Sequence, residues 1–517
     1  MEASGPHLEF VETFASWVFL TPDEVWKIKK PVLLGFLDYT TAEKRRLVCE
    51  AEVRLSRRLA PEVYLGVVPV TRGPDDRLRI GGDGEPSDWA VHMARLPDRD
   101  RADLRLESDR LDDEHIRCIA TRLAAFHEVA RCDAATRGRG SIESLKGTVA
   151  LAIHEPADRD RDRETPPIPE AESAAAWQQG FLAENAKLFE ARLEGGRIRE
   201  GHGELSLENV FIDEAGTVNV LDCLEYDDAL RYSDVCSDVA FLSTDLASRG
   251  RVDLAERLVA EYAAAANDFD LYPLLDFYAS LRASIRGKIQ WFYATREGID
   301  RRTRDACLAR ARRFFLMAAS AERRPLLPPT MVALGGQVAS GKSTIASRVA
   351  REIGAPLISA DRTRSFMLGA RADDAHEAQW ELAYEPGFSH RVYAELMRRA
   401  GAVLRSGRPV VLDGCFRSAT QRSIARRMAA RYERPFLFVE VQVDPEQRRE
   451  RLRARAERDG VDEKVWLDIA KGLASQWEPV EELPEAESLT IDGGRSIRED
   501  MDAVEARLAT WPRGLTG

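Results

Sequence analysis

Two groups of residues in this 517-residue chain have the types and spacing that phosphate chemistry requires. The sharper one is Gly336-x-x-x-x-Gly341-Lys342-Ser343, which follows the apolar run 331–334 and precedes an amphipathic run, 344–353. Glycines let successive backbone N–H groups curl round a polyphosphate, the lysine reaches the β- and γ-phosphates, and the hydroxyl ligates Mg²⁺. Gly336, Gln337, Val338, Ala339, Ser340, Gly341, Lys342, Ser343 and Thr344 are therefore expected to cradle ATP, with Ser343 on the metal. A helix starting at 344 would turn the positive end of its dipole toward the phosphates.

Carboxylates follow at strand ends. The run 356–359 reads as a strand that leads to Asp361, placed to take a proton from a substrate hydroxyl; the competing reading is a helix-capping acid. The run 408–412 reads as a third strand leading to Asp413, a candidate Mg²⁺ ligand. Beyond a fourth strand at 435–443, Arg448, Arg451 and Arg455 fall on one face of a predicted helix, 446–458. On a mobile lid, Arg451 and Arg455 would stabilise charge on the transferring phosphoryl group. Partnership with Glu450 and Glu457 on a solvated helix is the alternative.

The second group lies earlier. Glu204 in Gly201-His-Gly-Glu-Leu-Ser-Leu-Glu-Asn209 is followed five residues on by Asn209, and Asp222 ends a strand at 218–221. An acid, an amide and a strand-end carboxylate on one hairpin suit a proton acceptor beside oxygen-ligated metal. Upstream, Glu-Val-Trp-Lys-Ile-Lys-Lys puts Lys27 and Lys29 on one face of a strand, and a predicted helix at 41–59 carries Glu50 and Glu52. Arg282, Arg286 and Lys288 cluster on a later helix, where a solvated face is the commoner explanation.

The order of lysine strand, glutamate helix, His-Gly-acid turn and strand-end Asp resembles the aminoglycoside phosphotransferase and choline kinase-like family over residues 8–320. That resemblance implies a two-lobed protein-kinase fold. It implies Lys29, or second Lys27, on the α/β-phosphates and paired with Glu52. It also implies an adenine-contacting hinge at 89–93 that includes Met93, metal ligands Asn209 and Asp222, and a structural acid at Asp238. The chain departs from the family's His-Gly-Asp-Leu-His pattern with Glu204 and Ser206. A carboxylate displaced by about 1 Å costs on the order of a hundredfold in rate, so an active and a degenerate kinase domain both stay open. Residues 328–511 resemble the small P-loop kinases and zeta-toxin-like ATPases, and the two halves together resemble bacterial bifunctional aminoglycoside phosphotransferase/ATP-binding proteins.

The elements that must position these groups define an α+β half followed by an α/β half. Residues 1–322 form the kinase-like part, the proline-rich 323–330 a linker, and 331–517 a parallel sheet flanked by helices, completed by a strand at 488–491 and a helix at 497–509. The charged, proline-bearing stretch 158–170 reads as an exposed loop. A net charge of −12 argues against general affinity for nucleic acid or anionic membrane. No apolar run reaches the roughly 20 residues of a membrane helix, and the start of the sequence lacks an export signal, so a cytoplasmic protein is expected. Seven cysteines without a C-x-x-C pair indicate neither zinc nor a disulfide framework.

The function expected is ATP- and Mg²⁺-dependent phosphorylation of a small polar metabolite, with the P-loop half the surer site. An ATP-binding regulatory protein and a toxin-like or RNA-end kinase are the alternatives, and the acceptor and the oligomeric state are open.

Overall fold

A computed structural model describes residues 8–13, 15–33, 37–82, 84–153, 169–295, 298–320, 327–369, 383–459 and 462–511. The loop expectation at 158–170 falls largely outside them, as does the start of the proline-rich linker. Contacts group the chain into two compact units, Met1–Gly250 with Phe277–Glu322, and Arg251–Asp276 with Arg323–Gly517.

The first unit begins with an antiparallel sheet of β1 (Glu9–Glu12), β2 (Ser16–Leu20), β3 (Glu24–Lys29), β4 (Tyr64–Arg72), β5 (Leu78–Ile80) and β6 (Pro86–Ala94), in the order β1-β2-β3-β6-β4-β5. The helix Ala42–Ser56, capped by the Thr41 side chain on the Lys44 N–H, packs on it. Val25, Cys49, Val53, Tyr64, Val91 and Met93 fill the space between. Period-2 alternation on β3 puts Lys27 and Lys29 on one face, as the sequence predicts, and Lys29 ends only 2% exposed.

Among the described residues the remainder of this unit is helices and loops with two small antiparallel strand pairs. β8 (Val210–Ile212) and β9 (Val218–Val220) form the expected hairpin, while β7 (Ile198–Glu200) pairs with β10 (Tyr232–Asp234), a pairing three residues long on each side and without a periodic signal. The stretch Pro169–Glu194 is two helices, Pro169–Glu184 and Ala186–Glu194, broken at Asn185, whose side chain donates to the Phe181 carbonyl.

The second unit holds a five-stranded parallel sheet of β11 (Met331–Gly335), β12 (Leu357–Ser359), β13 (Val410–Asp413), β14 (Phe436–Gln442) and β15 (Ser488–Asp492), ordered β12-β13-β11-β14-β15. Its central strands β11, β13 and β14 are near-continuous apolar runs because helices cover both faces. Val332, Leu334, Val411, Val439 and Ile491 meet Ile345 and Val349 of the helix Lys342–Glu352 and Met501 and Val504 of the helix Ile497–Glu505 in one core. Strand order reverses about β11, so groups at the carboxyl ends of β11, β12 and β13 converge on one crevice. Among the described residues no helix is long and apolar enough to cross a membrane.

Candidate active sites

In the second unit, parallel register sets Asp413 opposite Leu334 and Ser359, so three strand ends come together. The loop after β11 turns through positive φ at Gly336 (144°), Ala339 (65°) and Gly341 (95°). A Cβ on Gly336 would stand 2.5 Å from the Val441 carbonyl oxygen, which makes glycine obligatory there. Gly341 caps the helix Lys342–Glu352, leaving that helix's first N–H groups directed at the loop's hollow.

Lys342 is 8% exposed; burial opposes its charge, but Cys415, Asp413 and Asp361 outweigh burial and keep it protonated. Asp413 is 6% exposed, and burial raises its pKa against the pull of Lys342 and a hydrogen bond from Ser343. Its Oδ1 has no hydrogen-bond partner. A buried carboxylate oxygen left open beside a serine hydroxyl and a lysine is what a small divalent cation would fill. Among the described residues no three His, Cys, Asp or Glu side chains gather as a metal cage, so phosphate and water oxygens would have to complete the shell, as suits Mg²⁺.

Asp361 lies in the first turn of the helix Ala360–Met367, whose cap is Ser359, so the acid is not the cap itself. Its carboxylate accepts from Arg364 at 2.6 Å and lies 3.8 Å from Arg455. Arg451 and Arg455 of the helix Pro445–Asp459 have distinct surroundings. Arg451 donates to the carbonyls of Ser340 (3.0 Å) and Gly493 (2.8 Å), and Arg455 stacks 4.0 Å over the Trp466 ring. Val338 of the loop joins Leu452, Ala456 and Trp466 in an apolar cluster, so this helix is packed on the phosphate-binding loop.

The site of the first unit is built on the turn before β8. Asp238 accepts from the backbone N–H of His202 (2.6 Å) and Gly203 (2.9 Å) and from His127 Nε2 (3.1 Å). Arg282, 2% exposed, donates to the Gly203 carbonyl at 3.0 Å, to Leu230 and to Ser237. The peptide before Glu204 is thus clamped from both sides. The predicted basic cluster therefore divides: Arg282 holds this turn, Arg286 pairs with Asp245 at 2.7 Å, and Lys288 donates to the Leu151 carbonyl.

Glu204 is partly buried, and burial, then Asp222 and Glu225, raise its pKa to about 7 against Lys27 and Arg286. Asn209 donates its Nδ2 to the Glu204 carbonyl at 3.1 Å, which leaves Oδ1 for a cation. Asp222 sits at φ 61°, its own crowding outweighed by Lys27 and Lys29, which hold its pKa down to about 2. Lys27 reaches Glu52 Oε1 at 3.0 Å and also contacts Asp222. Lys29 instead sits between Glu52 Oε2 (2.6 Å) and Glu225 (2.7 Å). Met93 is buried in the sheet's core. Glu225 and Tyr39, which donates to it at 2.9 Å, escaped the sequence reading; the only hint was a second acid three residues after Asp222.

Comparison with known proteins agrees with both halves. A family model described as "Phosphotransferase enzyme family" matches residues 39–278, and one described as "AAA domain" matches residues 331–475. An uncharacterized protein of Mycobacterium tuberculosis is 30% identical over 474 residues, 91% of this chain and 90% of its own, and one of Mycobacterium bovis matches equally. A choline/ethanolamine kinase family protein from Mesorhizobium loti covers 62% of this chain and 92% of its own at 13% identity (TM-score 0.35). A gluconokinase from Sinorhizobium meliloti covers 36% of this chain and 93% of its own at 18% identity (TM-score 0.25). The chain belongs to the bacterial family of these mycobacterial proteins, and is itself a phosphotransferase enzyme in which a kinase-like phosphotransferase domain precedes a P-loop kinase-like domain.

Proposed function

We propose that the P-loop half transfers the γ-phosphoryl group of ATP, with Mg²⁺, to a hydroxyl of a small polar molecule. The observation that carries this reading is the open, buried Oδ1 of Asp413 beside Ser343 and Lys342. Mg²⁺, when bound, neutralises charge that develops on the phosphate oxygens; Ser343 and Asp413 would hold it. The loop's N–H groups and Lys342 bind and orient the triphosphate. Asp361, oriented by Arg364, takes the proton of the acceptor hydroxyl as that oxygen bonds to the γ-phosphorus and the bond to the β–γ bridging oxygen breaks, releasing ADP. Arg455, close to Asp361, offsets charge on the group in transit.

The first unit supplies a second nucleotide site in this reading. Lys27, through its contacts to both Glu52 and Asp222, is the lysine for the α/β-phosphates, with Lys29 as the brace beneath Glu52. Asn209 and Asp222 would hold Mg²⁺ there, and Glu204, with its pKa near neutrality, is the proton acceptor.

Incubating the protein with a metabolite extract, Mg²⁺ and ATP labelled at the γ-phosphate tests both. The labelled product of the P-loop half should vanish in Lys342→Ala and persist in Glu204→Gln. The opposite pattern moves the activity to the first unit. ATP bound by the wild type with no label transferred would leave a nucleotide-dependent regulatory protein, and label appearing only on added oligonucleotides with free 5′-hydroxyls would point to an RNA-end kinase.

A further inference from the structure

A cleft of about 420 Å³ opens in the second unit between the helix Pro386–Arg405 and the start of the helix Ala419–Arg431. Its size falls within the roughly 300–1,000 Å³ typical of small-molecule sites. Ser389, Tyr393, Arg417 and Gln421 bring polar groups to its wall, with Met397 and Ile424 as apolar floor.

Three observations mark it as a binding site. Ser389 is 2% exposed and its hydroxyl has no hydrogen-bond partner, a destabilising state unless something outside the chain satisfies it. The Arg417 guanidinium makes no ion pair or hydrogen bond among the described residues, whereas Arg422, five residues on, is consumed by Glu482 and by the carbonyls of Phe416 and Pro479. Glu478, the one acid among the described lining residues, accepts the Ala419 N–H at 2.6 Å through Oε2 and forms no ion pair with Arg417.

One cleft residue also reaches the segment that follows Asp413. The Tyr393 hydroxyl, on the cleft wall, accepts the Phe416 N–H at 3.0 Å. A Cβ on Gly414 would stand 3.0 Å from that hydroxyl and 3.3 Å from the Ala360 Cβ, so Gly414, next to Asp413, separates the cleft wall from the residue that precedes Asp361.

We infer that this cleft holds the phosphoryl acceptor, and that the acceptor is a small hydroxylated molecule with an anionic group, carboxylate or phosphate, bound by Arg417. The inference rests on the P-loop half being the transferring site. Bidentate pairing of a guanidinium with such an anion fixes the far end of the acceptor while its hydroxyl faces Asp361.

Calorimetric titration of the full chain, saturated with Mg²⁺ and AMP-PNP, with glycerate, glycerol 2-phosphate and neutral glycerol tests this. One anionic probe should bind about tenfold or more tighter than glycerol, and which one wins tells carboxylate from phosphate. Arg417→Ala should weaken that probe about tenfold, Arg417→Lys less, and Ser389→Ala a few-fold. Nucleotide affinity measured on the same variants separates folded protein from unfolded. Nucleotide binding without anion binding, anion binding unchanged in folded Arg417→Ala, or glycerol binding as well as the anions would each overturn the inference alone. Absence of AMP-PNP binding in the wild type would overturn the ATP reading beneath it.

Discussion

Arg451 donates to the carbonyl of Ser340 at 3.0 Å, inside the loop that the sequence marks for phosphate. Helical spacing aims this guanidinium at the transferring group, yet its hydrogen bonds are spent on the backbone of Ser340 and Gly493. The loop needs such a brace because Ala339 sits at φ 65°, a conformation that costs a side-chain-bearing residue on the order of 1 kcal/mol.

Arg451→Ala is therefore expected to weaken nucleotide binding about tenfold through a loosened loop, with kcat at saturating ATP nearly unchanged. Arg451→Lys should recover part of the loss. Titration with nucleotide and steady-state kinetics decide: a fall in kcat with unchanged affinity would return Arg451 to the transferring phosphoryl group.

Lys27 and Lys29 separate by their partners. Lys27 faces Asp222, the metal candidate, whereas Lys29 is enclosed by Glu52, Glu225 and Tyr39. In a Lys342→Ala background, which isolates the first unit, Lys27→Ala should abolish measurable nucleotide binding with little loss of stability. Lys29→Ala leaves two buried carboxylates without their shared cation, and should cost about 3 kcal/mol of stability. Equal loss of binding in both variants, with equal melting curves, would contradict this division.

These two cases show what the sequence makes readable. The glycine pattern dictates a backbone, so the loop from Gly336 to Lys342, its strand and its helix follow from local chemistry. Alternation on β3 likewise puts both lysines on one face. Which lysine meets Asp222, and that Glu225 lies beneath Lys29, depends on residues nearly 200 positions apart, and no local pattern encodes that. The same holds for Arg282, whose spacing suggests a solvated face but whose guanidinium closes the Gly203 turn.

Arg408, which precedes β13, has a comparable history. It donates to Glu256 at 2.8 Å and to Asp276 at 2.8 Å, tying two stretches of the second unit that are far apart in sequence. Arg408→Ala should destabilise this unit by up to about 3 kcal/mol, since two partly buried carboxylates lose their cation. The measurement is the melting transition whose nucleotide-induced shift is lost in Lys342→Ala, compared with Arg398→Ala, whose exposed pair with Asp270 should contribute less than about 1 kcal/mol. Indistinguishable transitions would remove Arg408 from the unit's stability.

Glu204 makes a prediction with a definite pH window. Its pKa stands at about 7 in the folded chain against an ordinary 4.5, raised first by burial. Below 4.5 the carboxyl is protonated folded or unfolded, and it costs nothing. Between 4.5 and 7 the unfolded chain gives up the proton while the folded one keeps it, so stability falls as pH rises; above 7 the penalty is complete, at most about 3 kcal/mol. Glu204→Gln, neutral at every pH, should match the wild type near pH 4.5 and become progressively more stable than it up to pH 8. Any phosphoryl transfer by the first unit should run the other way, rising through pH 7 as Glu204 loses its proton, and disappearing in Glu204→Gln. Melting curves for the two proteins from pH 4.5 to 8 that stay parallel would mean that the carboxylate is solvated, and with that its claim to be a base tuned to neutrality would be lost.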